Sequence, residues 1–519
     1  MEELVHTCLA HWAQHTPNQK AVVCGNTAMS FQELHEAATR QATLVSTSTA
    51  TCLVDDTHNT LQQLIAFLGI VQSGRCAAVT DPEWPAHIRN AVAEALPKAP
   101  HHARATVESD PFYIGFTSGS TGTPKGFQRD HRSWVESFRV CTETFDMGQG
   151  LGVLAPGRIS HSLFLFGMLL GLYTGAGIAI QNKFSASHTL ATLQAGQHPC
   201  LVAVPSQLIM LLQWARHRHI ACVPQVRLIL ISGARWMRQH TPELQSLFPN
   251  ARIIEFYGAS ETSFIAWKEA QEPASANAVG RPFSNVELQI RPVDAHVLSH
   301  SPSQTSQQST HLQTSASGVI YVRSPMLFIN YVGEKYDHTA AVRDGDWLSV
   351  GDMGYIDAQG HLCLSGRQNR MIVTQGKNLF PEELENLLAT HPSIANASVH
   401  ALPDEVRGSQ VVAVLQPAQQ GAQRSHPDAR TTFSDVLTAF PNAHALSKWC
   451  QQHTEAFKVP RQFWLCQPWP FTASGKTDHT QIAHALKQQH NQQHAPASSD
   501  TQRTSTPTHT DLPCLQHLS

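Results

Sequence analysis

Residues 116–126 read FTSGSTGTPKG, and they directly follow an apolar run, Pro111 to Phe116, that has the character of a buried strand. Glycines allow backbone N–H groups to approach an anion closely, hydroxyl side chains add hydrogen-bond donors, and Lys125 supplies a positive charge. The segment therefore predicts a clamp for nucleotide phosphates. A flexible Ser/Gly linker is the alternative, but a linker is not expected directly after a buried strand.

The predicted clamp is not a Walker A loop, which requires the pattern G-x-x-x-x-G-K-[ST]. Gly475, Lys476 and Thr477 match the end of that pattern, but Pro470 stands where its first glycine is needed. The sequence also lacks the G-x-S-x-G elbow of α/β-hydrolases, the H-E-x-x-H zinc motif and the G-x-G-x-x-G dinucleotide loop. These three enzyme classes are therefore not supported.

The bulk properties limit the protein class. A chain of 519 residues is too long for one ordinary domain, and a formal net charge of −3 provides no basic field for a nucleic acid. The eleven cysteines include no C-x-x-C pair, so we expect reduced thiols and neither a disulfide framework nor a zinc ribbon. The acidic N-terminus, Met1-Glu2-Glu3-Leu4, lacks the layout of a signal peptide. We predict a cytoplasmic protein with no nucleic-acid partner.

One apolar stretch, residues 163–180 (LFLFGMLLGLYTGAGIAI), is borderline in length for a membrane span. Glycines interrupt it, and no basic flank orients it. We therefore predict a buried helix followed by a strand, and no transmembrane segment.

Short apolar runs alternate with helical stretches through the middle of the chain, as in VRLILIS (226–232) and ARIIEFY (251–257). This alternation is typical of α/β layering. A composition change near Gly366 separates a large N-terminal domain, 1–366, from a small second domain, 367–487.

Three polar segments are expected to lie outside the packed core, because they contain too little apolar surface to order themselves. Residues 296–317 and 416–428 are predicted to form surface loops, and residues 488–519 a disordered tail.

Residues 116–126 resemble the signature loop of the adenylate-forming (ANL) superfamily, which includes acyl-CoA synthetases, luciferases and peptide-synthetase adenylation domains. The next residues, Arg129 to Trp134 (RDHRSW), resemble bacterial acyl-CoA synthetases in particular. The resemblance implies an α/β fold with a large N-terminal adenylate-forming domain of layered sheets and helices and a small mobile α+β C-terminal domain. It implies that the ATP phosphates are bound by Thr117, Ser118, Gly119, Ser120, Thr121, Gly122, Thr123 and Lys125.

Two motifs resemble the superfamily's adenine and metal sites. Residues 232–234 (SGA) resemble the adenine-lining turn, in which Gly233 and Ala234 leave room for a flat ring, although a plain tight turn has the same sequence. Residues 257–262 (YGASET) resemble the motif in which the tyrosine, Tyr257, stacks on adenine beside Gly258, and the glutamate holds Mg²⁺. Carboxylate oxygens suit this hard cation. A Glu-Thr pair alone is also typical of a helix start, but the order of the motifs favours Glu261 as ligand, with Thr262 beside it in the catalytic motif.

Other motifs follow in the expected order. Gly351-Asp352 resembles the motif whose aspartate accepts hydrogen bonds from the ribose hydroxyls, with a hairpin turn as the alternative. Arg367 resembles the arginine that also touches the ribose at the domain boundary. Lys476 resembles the catalytic lysine that stabilises the charge of carboxylate attack on the α-phosphate, with an exposed surface lysine as the alternative.

The resemblance also implies a second half-reaction with coenzyme A. The small domain of relatives rotates about one residue, which corresponds to Asn369 here, where Asp or Lys is usual. Asparagine tolerates unusual backbone angles, so a hinge is compatible with it. Gly376 resembles the glycine that lets the pantetheine arm of coenzyme A pass.

Residues 160–167 (SHSLFLFG) resemble the segment that lines the acyl pocket. His161 is a candidate gate at the carboxylate end, and a core histidine is an equal alternative. Small residues, Gly167, Gly171 and Gly258, suggest an open pocket, and the surrounding leucines and phenylalanines suggest an apolar acyl chain. No lysine or arginine stands out as the partner of a second carboxylate, so medium- or long-chain fatty acids are the first expectation.

Two departures from the superfamily pattern qualify the acyl pocket. The phosphate loop begins earlier in the chain than is usual, which predicts a reduced N-terminal subdomain. Residues 235–237 (RWM) follow the adenine turn where small residues are common, which predicts a crowded pocket and would favour shorter or aromatic acids.

The sequence thus predicts an acid–thiol ligase that converts a carboxylic acid and ATP to an acyl-adenylate, with Mg²⁺, and then forms a thioester with coenzyme A. Two alternatives stay open. One is an adenylation enzyme that loads an acyl carrier protein, and the other is a non-catalytic protein that binds nucleotide or acyl ligand.

Overall fold

The computed structural model describes residues 3–45, 49–102, 104–117, 124–148, 150–275, 277–292, 317–332, 341–374, 377–404, 408–418, 440–472, 476–493 and 513–518. The chain divides into two compact units, Met1–Leu364 and Ser365–Ser519. This division falls close to the domain boundary at residue 366 that the composition suggests. Of the predicted surface loops, 296–316 and 419–428 lie outside the described residues.

The first unit alternates helices and strands along the chain. Its helices are α1 (Thr7–His15), α2 (Phe31–Leu44), α3 (Thr60–Gln72), α4 (Ala86–Ala95), α5 (His131–Phe145), α6 (Ser162–Tyr173), α7 (Ala186–Gln194), α8 (Pro205–His217) and α9 (Thr241–Leu247). Its strands are β1 (Lys20–Cys24), β2 (Thr27–Ser30), β3 (Thr51–Leu53), β4 (Cys76–Ala78), β5 (Pro111–Thr117), β6 (Lys125–Asp130), β7 (Val153–Ala155), β8 (Ile178–Ile180), β9 (Cys200–Ala203), β10 (Leu228–Ile231), β11 (Arg252–Ala259), β12 (Ser263–Glu269), β13 (Ala278–Pro282), β14 (Glu287–Arg291), β15 (Gly318–Arg323), β16 (Asn330–Val332), β17 (Val342–Asp344), β18 (Trp347–Ser349), β19 (Asp352–Ile356) and β20 (Leu362–Arg367), the last of which crosses into the second unit.

Two sheets organise the described part of this unit. The larger has the strand order β17-β18-β15-β19-β20-β13-β12-β11-β10-β9-β7-β8-β1-β2, with β14 paired to β15. Its segment β11-β10-β9-β7-β8-β1 is parallel. The second sheet has the order β16-β6-β5-β4-β3. The α/β class expected from the alternation of apolar runs and helices is confirmed.

The parallel strands are buried on both faces, which explains their continuous apolar runs. Along β10, Leu228 and Leu230 pack into one hydrophobic cluster, whereas Ile229 and Ile231 pack into another on the opposite face. The apolar stretch 163–180 forms α6 and β8 inside this arrangement, as predicted. No helix among the described residues is long and apolar enough to cross a membrane.

The second unit is an α+β arrangement. It contains β21 (Ile372–Thr374), β22 (Lys377–Leu379), α10 (Pro381–Leu388), β23 (Ile394–Asp404), β24 (Gly408–Pro417), α11 (Ala443–His453), β25 (Gln462–Gln467), α12 (His479–Gln493) and β26 (Cys514–His517). Strands β23-β24-β25-β26 form one sheet, and β21 pairs with β22. Pro381 begins α10 as the first-turn proline and carboxylates of that segment indicate.

The prediction of a disordered tail from residue 488 was wrong for the part of it that the structure describes. Helix α12 continues to Gln493, and β26 adds to the sheet beside β25, with Leu515 opposite Cys466. Leu515 and Leu518 are buried, in the two clusters that flank this sheet. Burial of these two leucines in the core stabilises the short strand. The average composition of the segment is polar, so it did not predict this strand.

The buried histidines predict how stability depends on pH. Burial lowers the pKa of His6, His198 and His479 to about 4 and that of His131 and His400 to about 3, with the Arg370 charge adding to the effect at His400 and His479. These imidazoles are neutral in the folded protein, whereas the unfolded chain binds protons near pH 6.5. Folding stability should therefore fall as the pH drops from about 6.5 toward 4, by about 2 kcal/mol at pH 5 for each of the two fully buried histidines among them, His131 and His198, and by less for the partly exposed ones.

Thermal unfolding between pH 8 and 4.5 would measure this loss. His198→Gln should reduce the slope, whereas His188→Gln, at an exposed position, should leave it unchanged. A melting temperature that stays constant down to pH 5 would contradict the assignment of neutral buried imidazoles.

Candidate active site

The predicted adenine turn lies at the carboxyl ends of the parallel strands, where ligands bind in open α/β sheets. Gly233 follows β10 with φ +87°, which favours glycine, and Ser232 Oγ donates to the carbonyl oxygen of Phe256 on the neighbouring β11 at 3.1 Å. A Cβ on Gly233 would lie 3.1 Å from Val204 and 4.0 Å from the His161 ring. The structure thus brings His161 beside this turn.

Tyr257 and Asp352 are in direct contact, although 95 residues separate them. The Tyr257 hydroxyl donates a short hydrogen bond to Asp352 Oδ2. Asp352 is buried and begins β19, directly after Gly351, which has φ +78°. The strands on either side, β18 and β19, each pair with β15 and not with each other, so the Gly-Asp pair is not the hairpin turn considered as the alternative. It forms a bend that presents the carboxylate to the tyrosine.

Residues 259–263 form a tight reversal between β11 and β12, which excludes the helix start considered for Glu261 and Thr262. The Ala259 amide donates to Thr262 Oγ1 at 3.0 Å, and the Thr262 amide donates to the Ala259 carbonyl oxygen at 3.2 Å. Thr262 is fully buried and Glu261 is nearly so. Thr262 therefore closes the turn that carries the Glu261 carboxylate.

Tyr331, on β16, holds that carboxylate. Its hydroxyl donates to Glu261 Oε1 at 2.7 Å, and Glu261 Oε2 makes no hydrogen bond to a residue that the structure describes. The role of this tyrosine could not be predicted from the sequence, because Tyr331 is 70 residues from Glu261 and the pairing of β16 with β6 is a long-range contact. The carboxylate is thus oriented by one oxygen and has the other available for a cation.

The ends of the predicted phosphate clamp are well defined. Thr117 ends β5 and Lys125 begins β6, and the two residues pair in the antiparallel register. Ser118, Gly119, Ser120, Thr121, Gly122 and Thr123 lie outside the described residues.

The glycines that suggested an open acyl pocket have another role. A Cβ on Gly167 would lie 3.0 Å from Val202, one on Gly171 2.5 Å from Ile178, and one on Gly258 1.8 Å from the carbonyl oxygen of Ser263. Gly167 and Gly171 therefore let α6 pack closely against the strands, and Gly258 lets β11 approach β12. None of the three is evidence for open space. The apolar character of the segment is real, since α6 is buried along most of its length.

Trp236 does not produce the crowding expected after the adenine turn. It is 2% exposed and packs into the hydrophobic cluster behind the sheet with Ile229 and Ile231, where its Nε1 donates to Thr241 Oγ1 at 2.9 Å. His161 instead lies next to Phe164, with ring centroids 5.2 Å apart, and Phe164 belongs to the other cluster. The tryptophan and the histidine thus lie on opposite faces.

The remaining predicted residues belong to the second unit. Arg367 ends β20, and Asn369 lies in a 3₁₀ turn, Gln368–Arg370. Lys476 is exposed at the end of a hairpin in which Phe471 pairs with Thr477, and the Thr472 amide donates to the Lys476 carbonyl oxygen at 2.7 Å. Gly376 lies outside the described residues.

Comparisons with known proteins identify the family. The model of the AMP-binding enzyme family matches residues 89–332, and the model of the AMP-binding enzyme C-terminal domain matches residues 383–476. The uncharacterised acyl-CoA ligase YhfT of Bacillus subtilis is 32% identical over 483 residues, which are 91% of this chain and 89% of the relative. The chain belongs to the AMP-binding enzyme family. It lies in the acyl-CoA ligase branch of the adenylate-forming superfamily and is an AMP-forming acid–thiol ligase by type.

More distant relatives of this AMP-binding enzyme differ in the acid that their names give. The putative long chain fatty acid-CoA ligase VraA of Staphylococcus epidermidis is 27% identical over 421 residues, which are 76% of this chain and 83% of the relative. The 2-succinylbenzoate-CoA ligase of Arabidopsis thaliana is 26% identical over 403 residues, which are 73% of this chain and 68% of the relative.

A solved structure shares the fold. O-succinylbenzoate coenzyme A synthetase (MenE) of Bacillus subtilis, in complex with AMP, aligns with a TM-score of 0.74 and 20% identity, over 93% of this chain and 98% of MenE. Because nearly all of MenE is matched, the N-terminal region of this AMP-binding enzyme is not reduced relative to it, contrary to the expectation from the early phosphate loop.

The residues present fit a magnesium ion that comes with a nucleotide. Among the described residues, no cluster of three or more His, Cys, Asp or Glu side chains could hold a metal ion alone. A single oriented carboxylate, Glu261, is instead the kind of protein ligand that Mg²⁺ uses when phosphate oxygens and water complete its coordination.

The contact between Tyr257 and Asp352 gives a testable prediction for this AMP-binding enzyme. Tyr257→Phe keeps the aromatic face and removes the hydroxyl that holds the carboxylate. We expect the KM for ATP to rise about 10-fold, with kcat little changed, because a hydrogen bond to a charged group contributes about 1.5–3 kcal/mol. Steady-state kinetics of pyrophosphate release would measure it.

Tyr113→Phe is the matched control, because it removes a hydroxyl that lies 3.2 Å from Ser162 Oγ in the same unit. Its KM for ATP should not change. An unchanged KM in Tyr257→Phe would show that Asp352 needs no help from the tyrosine.

Proposed function

We propose that this enzyme activates a medium- or long-chain monocarboxylic acid, a fatty acid, with ATP and Mg²⁺ and transfers the acyl group to coenzyme A. The observation that carries the nucleotide part is the convergence of Tyr257, Asp352 and Glu261 at the carboxyl end of the sheet. In this proposal Tyr257 is the platform for the base, Asp352 accepts hydrogen bonds from the ribose hydroxyls, and Glu261 binds magnesium. Tyr257 is hydrogen-bonded to Asp352, and Glu261 lies four residues after Tyr257, in the turn between β11 and β12.

The first half-reaction forms a bond between a carboxylate oxygen and the α-phosphorus and breaks the bond to pyrophosphate. In the proposed assignment, Tyr257 and Gly233-Ala234 hold the adenine, Asp352 and Arg367 the ribose, and residues 117–125 the phosphates. Glu261 would hold the Mg²⁺, whose charge offsets that of the departing pyrophosphate. These contacts fix the α-phosphate for attack by the acid.

Lys476 is proposed to supply the positive charge at the reacting centre. Attack brings two anions together, so charge grows on the oxygens in the transition state, and a fixed cation stabilises that state by about 3–4 kcal/mol. Rotation at Asn369 would then move the lysine away and open a passage for coenzyme A at Gly376. The thiol of coenzyme A would reach the acyl carbon through this passage and displace AMP.

The surroundings of His161 support an acid without a second carboxylate. The nearest cation along the chain, Arg158, pairs with Glu83 at 2.6 Å and with Asp81 at 3.3 Å, and Ser160 Oγ donates to the same Asp81 at 3.2 Å. A guanidinium held by two carboxylates is already neutralised. Helix α6, which follows His161, carries no charged side chain, and this favours an apolar chain instead.

An acid panel tests the proposed substrate. Pyrophosphate release should be fastest with octanoate to palmitate and slower by at least about 10-fold with benzoate or 2-succinylbenzoate, since a mismatched apolar pocket costs about 1–3 kcal/mol. Acyl-CoA should accumulate when coenzyme A is present. Preference for an aromatic diacid would overturn the fatty-acid assignment, and turnover with a carrier protein but not with coenzyme A would overturn the acceptor.

Lys476→Ala tests the assignment of the lysine. We expect pyrophosphate release to fall about 100- to 1000-fold, which corresponds to the loss of one transition-state donor. Thioester formation from a chemically prepared acyl-adenylate and coenzyme A should continue, because that step does not need the lysine.

Lys487→Ala, an exposed lysine on α12, is the control and should behave as the unaltered enzyme does. Normal pyrophosphate release in Lys476→Ala would show that the charge comes from elsewhere.

A further inference from the structure

Arg129 is a buried arginine on β6, the strand that leaves the phosphate clamp. Its side chain is 1% exposed, and it makes no ion pair with a carboxylate among the described residues. Arginine is almost never fully buried unless it is paired, because desolvation of a charge is costly. Such a group is expected to be held for a structural or functional reason.

The guanidinium is satisfied by four oxygen atoms. Its Nη1 donates to the carbonyl oxygen of Ser260 at 2.8 Å, and its Nη2 donates to Ser263 Oγ and to the carbonyl oxygen of Met326, both at 2.6 Å. Its Nε donates to Ser133 Oγ at 3.2 Å. Ser260 and Ser263 flank Glu261 and Thr262, so two of these bonds grip the turn on both sides of the magnesium-type carboxylate.

The turn needs such support because it is strained. Ser263 has φ +55°, a left-handed conformation that a residue other than glycine, asparagine or aspartate rarely adopts. Backbone in such a conformation persists only when its surroundings determine it. The hydrogen bond from Arg129 to the Ser263 hydroxyl helps to hold this residue in its left-handed conformation.

The same arginine fixes a second segment that touches Glu261. Beyond Met326, the Phe328 amide donates to the Glu261 carbonyl oxygen at 2.8 Å, and Tyr331 donates to the Glu261 carboxylate. Arg129 thus joins three pieces of chain around one glutamate: strand β6, the turn at 259–263, and the segment at 326–331.

We propose that Arg129 is a positioning residue for adenylation, which holds the Glu261 turn in a fixed relation to the strand that leaves the phosphate clamp. The inference rests on the proposed function, and it adds a residue that acts through Glu261 and has no contact with substrate of its own. Its consequence is that the carboxylate is in place before Mg²⁺ and ATP bind.

The charge of Arg129 persists at neutral pH. Burial lowers the pKa of the guanidinium to about 10, and the carboxylates of Asp130 and Glu261 oppose this shift. All donors of the planar fork therefore stay available, whereas a lysine at this position could not span four acceptors in the same plane.

Arg129→Lys tests the proposal by two measurements that need no acid substrate. In nucleotide-free protein, amide hydrogen exchange of residues 259–264 should be about 10-fold faster or more, since the turn loses its support. By calorimetry, ATP should bind without Mg²⁺ as in the unaltered enzyme, while the Mg²⁺ concentration for half-maximal ATP binding should rise about 10-fold. Pyrophosphate release should fall by up to about 100-fold, as for a misplaced catalytic group.

Arg132→Lys, an exposed arginine three residues later, is the control and should change none of these quantities. Ser263→Ala serves as a second variant if Arg129→Lys does not fold, because it keeps the arginine and removes one acceptor on the turn. It should change exchange and Mg²⁺ dependence in the same direction to a smaller extent. A folded Arg129→Lys, or a Ser263→Ala, with unaltered exchange at the turn and unaltered Mg²⁺ dependence would overturn the proposal.

The two proposals fail in different ways. If no acid supports pyrophosphate release by the unaltered enzyme, the proposed function fails, whereas exchange and Mg²⁺ dependence still decide the role of Arg129.

Discussion

The site depends on the close approach of β11 and β12 at Gly258, where a Cβ would lie 1.8 Å from the carbonyl oxygen of Ser263. Only glycine permits this approach. The two strands therefore reverse within four residues, and this reversal places Tyr257 before the turn and Glu261 within it. Tyr257, the proposed platform for adenine, and Glu261, the proposed magnesium ligand, are consequently fixed by one backbone constraint.

Burial of the parallel strands on both faces makes that constraint rigid. Strand β11 pairs with β10 on one side and β12 on the other, and β10 contributes side chains to both hydrophobic clusters. Because the sheet is rigid, it fixes the positions of the loops at the carboxyl ends of its strands. Polar groups from residues distant in sequence can therefore meet at hydrogen-bond distance. Asp352 meets Tyr257 at this edge as the first residue of β19, a strand that lies four positions further along the same sheet.

The parts that were predictable from sequence are those that depend on local patterns. The apolar run and its glycines predicted α6 and β8, and the order of the motifs predicted the family. Both predictions rest on residues that are close together in the sequence. The roles of Gly167 and Gly171 were misjudged, since whether a missing side chain leaves space or allows contact depends on Val202 and Ile178 across the fold. Strand β26 was missed because two buried leucines decide its order and the average composition around them does not.

The hydrogen bonds and ion pairs between residues distant in sequence could not be predicted from local patterns. In the second unit, contacts of this kind determine which parts can move independently. There, Arg370, next to the proposed hinge at Asn369, pairs with Glu385 at 2.6 Å and lies 3.4 Å from His479 at the start of α12. His479 is also hydrogen-bonded to Ser398 on β23 at 2.7 Å. Since Lys476 stands three residues before His479, a partly buried polar network joins the hinge side and the lysine side of this unit. A rotation at Asn369 would therefore carry Lys476 with the whole unit, because bending within the unit would break these partly buried hydrogen bonds.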